Sequence, residues 1–298
     1  LVMLTMPALG AYADLRAAKK RLLVVSTVGC VLATAALSRA GPGDLAIATL
    51  AVIVSNVFYS WGESLTAAFL PELARRDSLG RVSGWGWSFG YFGGMLTLGL
   101  SLAYVLSARA AGRTAAEFVP VTMLITAGVF ALASLPTFLL LRERAQPQAN
   151  AYQAEGIRAS WRRLSATWQE AHRFSDFRCL LACAVAYQAG IAVVIALAAV
   201  YAEQVLGFVQ TDTMMLVFLV NIASAVGAFA WGHVQDRVGH RLALSITLWG
   251  WVAMVALAAL ATERPLFWLA AVIAGLCMGS SQSAGRAMAG LLSPPDRL

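Results

Sequence analysis

Long apolar runs alternate with short polar connections along almost all of this chain. A helix that crosses the hydrocarbon core needs about 20 largely apolar residues. Runs of that kind occupy 22–38, 45–70, 83–107, 118–141, 178–202, 212–234, 242–261 and 265–283, and a shorter one occupies 1–13. The pattern predicts eight full spans and one partial span, an all-α integral membrane protein. Joints such as Arg39-Ala-Gly-Pro-Gly-Asp44 and Thr262-Glu-Arg-Pro265 carry the Gly and Pro breakers that end one helix and start another.

The polar connections repeat. Gly10-Ala-Tyr-Ala-Asp14-Leu-Arg16, followed by Lys19-Lys20-Arg21, returns as Gly232-His-Val-Gln-Asp236-Arg237-Val-Gly239-His-Arg241. Each copy holds a Gly, an Asp four residues on and then a basic cluster, wedged between apolar runs. A long-period repeat of this kind, joined to membrane spans, points to two related halves and to a transporter. The division expected is an N-terminal half-bundle over 1–141, a linker over 142–177 and a C-terminal half-bundle over 178–298.

Charge sharpens the topology. Of the 22 Lys and Arg residues, 18 fall in 14–21, 71–82, 142–178, 233–241 and 284–298, and 4 in 39–44, 108–117, 203–211 and 262–264. The positive-inside rule puts the first set, the long 142–177 loop included, in the cytoplasm. Within that loop Ile157, Trp161, Leu164 and Trp168 recur at helical spacing among arginines. That pattern suits an amphipathic helix at the headgroups, one that packs on the ends of the bundle, or both.

Composition agrees: 59% of residues are hydrophobic and 12% charged, where soluble domains carry about 25% charged residues. The net charge of +7 does not mark a nucleic-acid binder, because the bases sit in a few loops without a recognition motif. Cys30, Cys179, Cys183 and Cys277 read as small apolar residues, not as metal ligands. Neither a metal site nor a cofactor is expected. The histidines are scattered and no phosphate-cradling loop occurs, so neither enzyme chemistry nor ATP-driven transport is indicated. Leu1-Val2 opens without a basic region, which reads as a chain starting inside a helix and not as a signal peptide.

The Gly-x-x-x-Asp loop with trailing bases resembles the signature loop of the major facilitator superfamily. Phe69-Leu70-Pro71-Glu72-Leu73-Ala74, then Gly80-Arg81-Val82-Ser83-Gly84-Trp85-Gly86 and Gly90-Tyr91-Phe92-Gly93-Gly94, narrow the likeness. With Gly279, Gln282, Arg286 and Pro294 near the other end, the chain resembles the vacuole-effluxer-like family, autophagy-related vacuolar permeases and their bacterial relatives. The resemblance implies a major facilitator-type bundle of two pseudo-symmetric halves, with these residues covering spans two to ten. By the same likeness, Pro71, Glu72, Gln282 and Arg286 are family-motif positions. Asp236 is expected near Ser83–Gly84, and Asp14 near span eleven, which this chain does not include. Leu65-Thr66-Ala67 replaces the aromatic-aromatic-Asn run usual in the family, so amino-acid efflux is one solute class among several.

Physical chemistry selects the candidate residues. Gly10, Asp14, Arg16, Gly232, Asp236, Arg237, Gly239 and Arg241 form the gating loops, where an acid can cap a neighbouring helix and pair with bases. Asn56, Tyr59, Ser60 and Glu63 share one face of the fourth span. An acid inside a span is costly unless it faces a cavity or a partner, so this stripe suits a proton or a solute amine, or else an interhelical cluster. Tyr187, Gln188 and Asn221 are further solute candidates. Gly86, Gly90 and Gly94 recur every four residues and suit close helix packing, or a hinge. The function expected is secondary transport of a small polar solute by alternating access in a bacterial inner membrane. Its partners are the bilayer, the solute and protons or another coupling ion, with no nucleic acid. The bacterial setting rests on the Arg-over-Lys bias and Ala-rich spans. A truncated remnant acting as a non-transporting sensor or scaffold is the alternative.

Overall fold

The computed structural model describes residues 1–143 and 175–292, apart from Pro42, Arg76 and Thr262. The 157–168 amphipathic segment, most of the linker and Pro294 lie outside the described residues.

Ten α-helices and no strands occur among the described residues: α1 Val2–Arg16, α2 Lys19–Ala36, α3 Leu45–Ala68, α4 Leu70–Leu73, α5 Leu79–Ala110, α6 Ala115–Leu140, α7 Ser175–Gln204, α8 Gln210–Val238, α9 His240–Leu260 and α10 Arg264–Leu292. Eight segments are long and apolar enough to cross a membrane; α4 continues the span that α3 begins, Leu45–Leu73, and α1 is not among the eight. The apolar surface is that of a multi-pass membrane protein. Leu139 is 79% exposed, Leu140 78% and Val185 72%, side chains that only lipid or another helix covers favourably.

The chain forms two compact units. The first holds Leu1–Glu72 and, from Leu96 on, the rest of α5 with α6. The second holds Leu73–Met95 with α7 to α10, so the first half of α5 packs with the C-terminal helices.

In the first unit α2 lies against both α3 and α6. Ala13, Leu23, Leu65 and Phe69 make the core, flanked by Met6, Leu9, Leu22 and Phe138. Gly29 lets the Phe58 ring sit on the α2 backbone, where an added Cβ would meet the ring at 2.6 Å.

The second unit is built on the α8–α10 crossing. Three glycines set its closeness, with Gly227 against the Leu276 carbonyl, Gly275 against the Val220 carbonyl and Gly279 against the Ser224 carbonyl. Small residues let helix backbones approach in lipid, where packing and not hydrophobicity drives association. Apolar clusters fill the gaps, one around Ala202, Phe208 and Phe267, another around Ile191, Trp251 and Met254. Gly239 turns the chain from α8 into α9 at φ +90°, a conformation that favours glycine.

Candidate functional site

The two signature loops are built differently. In the C-terminal copy, Asp236 stands in the last turn of α8 and its side chain is 7% exposed. Its carboxylate accepts from the Gly80 N–H at 2.8 Å and the Arg81 N–H at 2.9 Å. The Arg81 Nε lies 3.4 Å from the same group. Helix N-termini present unpaired amides and the positive end of the macrodipole, so a carboxylate there is well placed. Asp236 thus meets α5 at its first residues, just ahead of Ser83–Gly84. Close packing makes the reach short. An added Cβ on Gly84 would strike the Ala228 carbonyl, and one on Gly232 would meet the Gly80 carbonyl at 2.8 Å. Arg237 and Arg241 are exposed at this end of the bundle.

In the N-terminal copy Asp14 caps no helix among the described residues. Its carboxylate lies 3.5 Å from Lys19 Nζ, and that ammonium also donates to Glu72 at 2.9 Å. Lys19 is buried, its side chain 4% exposed, which makes the ion pairs its main compensation for lost water. Desolvation raises the Asp14 carboxyl above its ordinary value, while the Lys19 charge draws it down. Arg16 turns back onto its own helix, its guanidinium 5.0 Å from the Tyr12 ring centre. Gly10 has open space where a side chain would stand. Glu143 supplies the cap that Asp14 does not. It accepts from the Lys19 N–H at 2.7 Å and the Lys20 N–H at 3.1 Å, while Lys20 Nζ donates to the Leu141 carbonyl at 2.7 Å.

Two residues of the α3 stripe bond to their own helix. Asn56 donates to the Val52 carbonyl at 2.9 Å and Ser60 to the Asn56 carbonyl at 2.8 Å. Asn56 and Tyr59 are exposed and Glu63 is half-buried. On α8, Asn221 likewise donates to its own helix, to the Val217 carbonyl at 2.8 Å. Gln188 is exposed, and the Tyr187 hydroxyl packs against Gly285 of α10.

At Gly86, Gly90 and Gly94, expected to suit close packing or a hinge, an added Cβ meets nothing within 4 Å among the described residues, while α5 meets α8 closely at Gly80 and Gly84. Among the motif positions, Pro71 and Glu72 form the short α4. Gln282 is half-buried on α10, and the Arg286 guanidinium lies 4.9 Å from the Trp87 ring centre. Gly80, Arg81, Lys19 and Glu143 take part in these contacts, and the sequence did not single them out. The first three stood inside quoted motifs, whereas Glu143 carried no local signal.

The family model described as vacuole effluxer Atg22 like matches residues 1–297. The chain belongs to this family. Among relatives of this Atg22-like chain is the uncharacterized MFS-type transporter YxiO of Bacillus subtilis (strain 168). The two are 21% identical over 296 residues, covering 97% of this chain and 67% of YxiO. The crystal structure of the human organic anion transporter MFSD10 (TETRAN) shares the fold. It superposes with a TM-score of 0.67 at 18% identity over 96% of this chain and 73% of MFSD10. The Atg22-like chain is therefore a membrane transporter of the major facilitator type, and its relatives point to transport and not to catalysis.

Proposed function

We propose that this chain exports or exchanges a small polar solute by alternating access, powered by a proton or solute gradient in the inner membrane of a bacterium. The match of the Atg22-like family across residues 1–297 carries the reading. The description of that family as an effluxer makes export the first direction to test, and amino acids the first solutes.

In this reading the face of α3 that bears Asn56, Tyr59, Ser60 and Glu63 meets the solute. Glu63 takes a proton or pairs with a solute amine. The hydroxyl and amide at Ser60 and Asn56 already bond to helix carbonyls, so each keeps lone pairs or a second N–H for a ligand. Tyr187, Gln188 and Asn221 are the corresponding candidates in the second unit. The two signature loops then act as latches on the cytoplasmic side. Asp236 holds α5 in one state and leaves it in the other, and Lys19 links Asp14 to Glu72.

The test is efflux and counterflow of radiolabelled amino acids in proteoliposomes containing the full-length protein, at several proton gradients. Glu63→Gln should abolish gradient-driven movement while the protein still inserts and unfolds at the wild-type temperature. Wild-type, gradient-driven transport in that variant would remove Glu63 from the mechanism. No movement of any amino acid by the wild type would turn the search to other polar solutes.

A further inference from the structure

One side chain beside the Asp236 latch is out of balance. Gln235 is 0% exposed, held among α8, α5 and α10. Its Nε2 reaches Ser283 Oγ at the outer limit of hydrogen bonding, 3.5 Å. Its Oε1 finds no donor among the described residues. A buried acceptor without a partner loses the water it had and gains nothing in return.

The position of the misfit matters more than its existence. Gly80, whose N–H binds Asp236, leaves the room that the Gln235 carboxamide fills. A Cβ there would strike both the Asp236 carboxylate and the Gln235 amide nitrogen. Ser283 accepts a second bond, from Ser83 Oγ to its carbonyl at 3.0 Å. Gln235 therefore touches the α5 start on one side and, through Ser283, the α10 helix that is itself tied to α5.

We propose that Gln235 is a positioning residue that keeps the Asp236 latch poised, its unmatched acceptor raising the energy of the latched state so that α5 can be released. This rests on reading the Asp236 contact as a latch. An apolar side chain of the same length would fill the same space without the misfit and would lock the latch. A side chain with a purely structural role would do the opposite on replacement, since loss of its bond to Ser283 would loosen the site.

Hydrogen–deuterium exchange on the full-length protein in lipid nanodiscs, without any solute, separates the two. The readout is the exchange of the Gly80 and Arg81 amides. Gln235→Met should slow it roughly tenfold, the size expected when a buried misfit of this kind is removed. Unchanged or faster exchange overturns the proposal. Should Gln235→Met fail to insert, Gln235→Leu gives the same test: it also removes the unmatched acceptor and should slow the same amides several-fold, and unchanged or faster exchange again overturns the proposal. Asp236→Asn serves as the reference for the latch itself. If that variant leaves the two amides as protected as in the wild type, the latch reading fails first and the role of Gln235 falls with it.

Discussion

One methyl group separates the two sets of glycines in this chain. At Gly279 an added Cβ strikes the Ser224 carbonyl, a backbone atom fixed in its own helix. At Gly90 it meets nothing within 4 Å. Gly279→Ala should therefore lower stability by about 1–3 kcal/mol, the range for overpacking a tight contact. Gly90→Ala should be neutral or raise stability by up to ~1 kcal/mol, because alanine is the better helix former. Thermal unfolding in one detergent decides, and equal losses in both variants would contradict the helix crossing described here. The Gly86-Gly90-Gly94 repeat was visible in the sequence, but spacing alone does not say whether a second helix lies over it. Lys19 poses the opposite case, a buried cation between Asp14 and Glu72. Lys19→Met removes the ammonium that lies 2.9 Å from Glu72, whose side chain is 12% exposed. Removing one partner of a buried pair costs about 3–5 kcal/mol, so this variant should express poorly or unfold early. A Glu72→Gln change made together with it should recover part of the loss.

At the scale of helices, existence was legible and partnership was not. Each predicted span has a matching helix, because apolar length is written locally in the chain. The start of α2 shows where local reading stops. Asp14 stands closest in sequence and carries the signature spacing, yet the amides of Lys19 and Lys20 bind Glu143, which lies 124 residues from Lys19. Nothing in the neighbourhood of Glu143 announces that role, since it arises only when α6 packs beside α2. Asp236 was legible for a different reason, the repeat of its loop, and it reaches the start of α5 from 156 residues beyond Gly80. Glu143→Ala should free the first amides of α2 and lower stability by ~0.5–2 kcal/mol, the usual worth of a helix cap. Hydrogen exchange at Lys19 and Lys20 checks it, and unchanged protection there would remove Glu143 as the cap. Glu143→Gln should recover part of the cap but not its charge.

At the scale of the molecule, orientation decides what the latches do. The α1–α2 and α8–α9 connections carry Arg16, Lys19, Lys20, Arg21, Arg237 and Arg241, while Arg113 stands in one of the sparsely basic connections. The positive-inside rule predicts that both loops face the cytoplasm and that Arg113 faces outside. Thiol labelling tests this after Cys30, Cys179, Cys183 and Cys277 are replaced by alanine or serine. A single Cys at position 113 should react with a membrane-impermeant maleimide in intact cells. A single Cys at position 237 should react only once the cells are opened, and both positions are exposed enough to be reached. The reverse pattern would put Asp236 and its hold on α5 on the outer face. The latch would then govern the outward opening, and the proposed direction of gating would reverse with it. The expected pattern leaves α5 as a helix whose first turn is held at the cytoplasmic face by one unit while its far end packs in the other. Release of Asp236 would then free the first amides of α5 from the carboxylate that holds them.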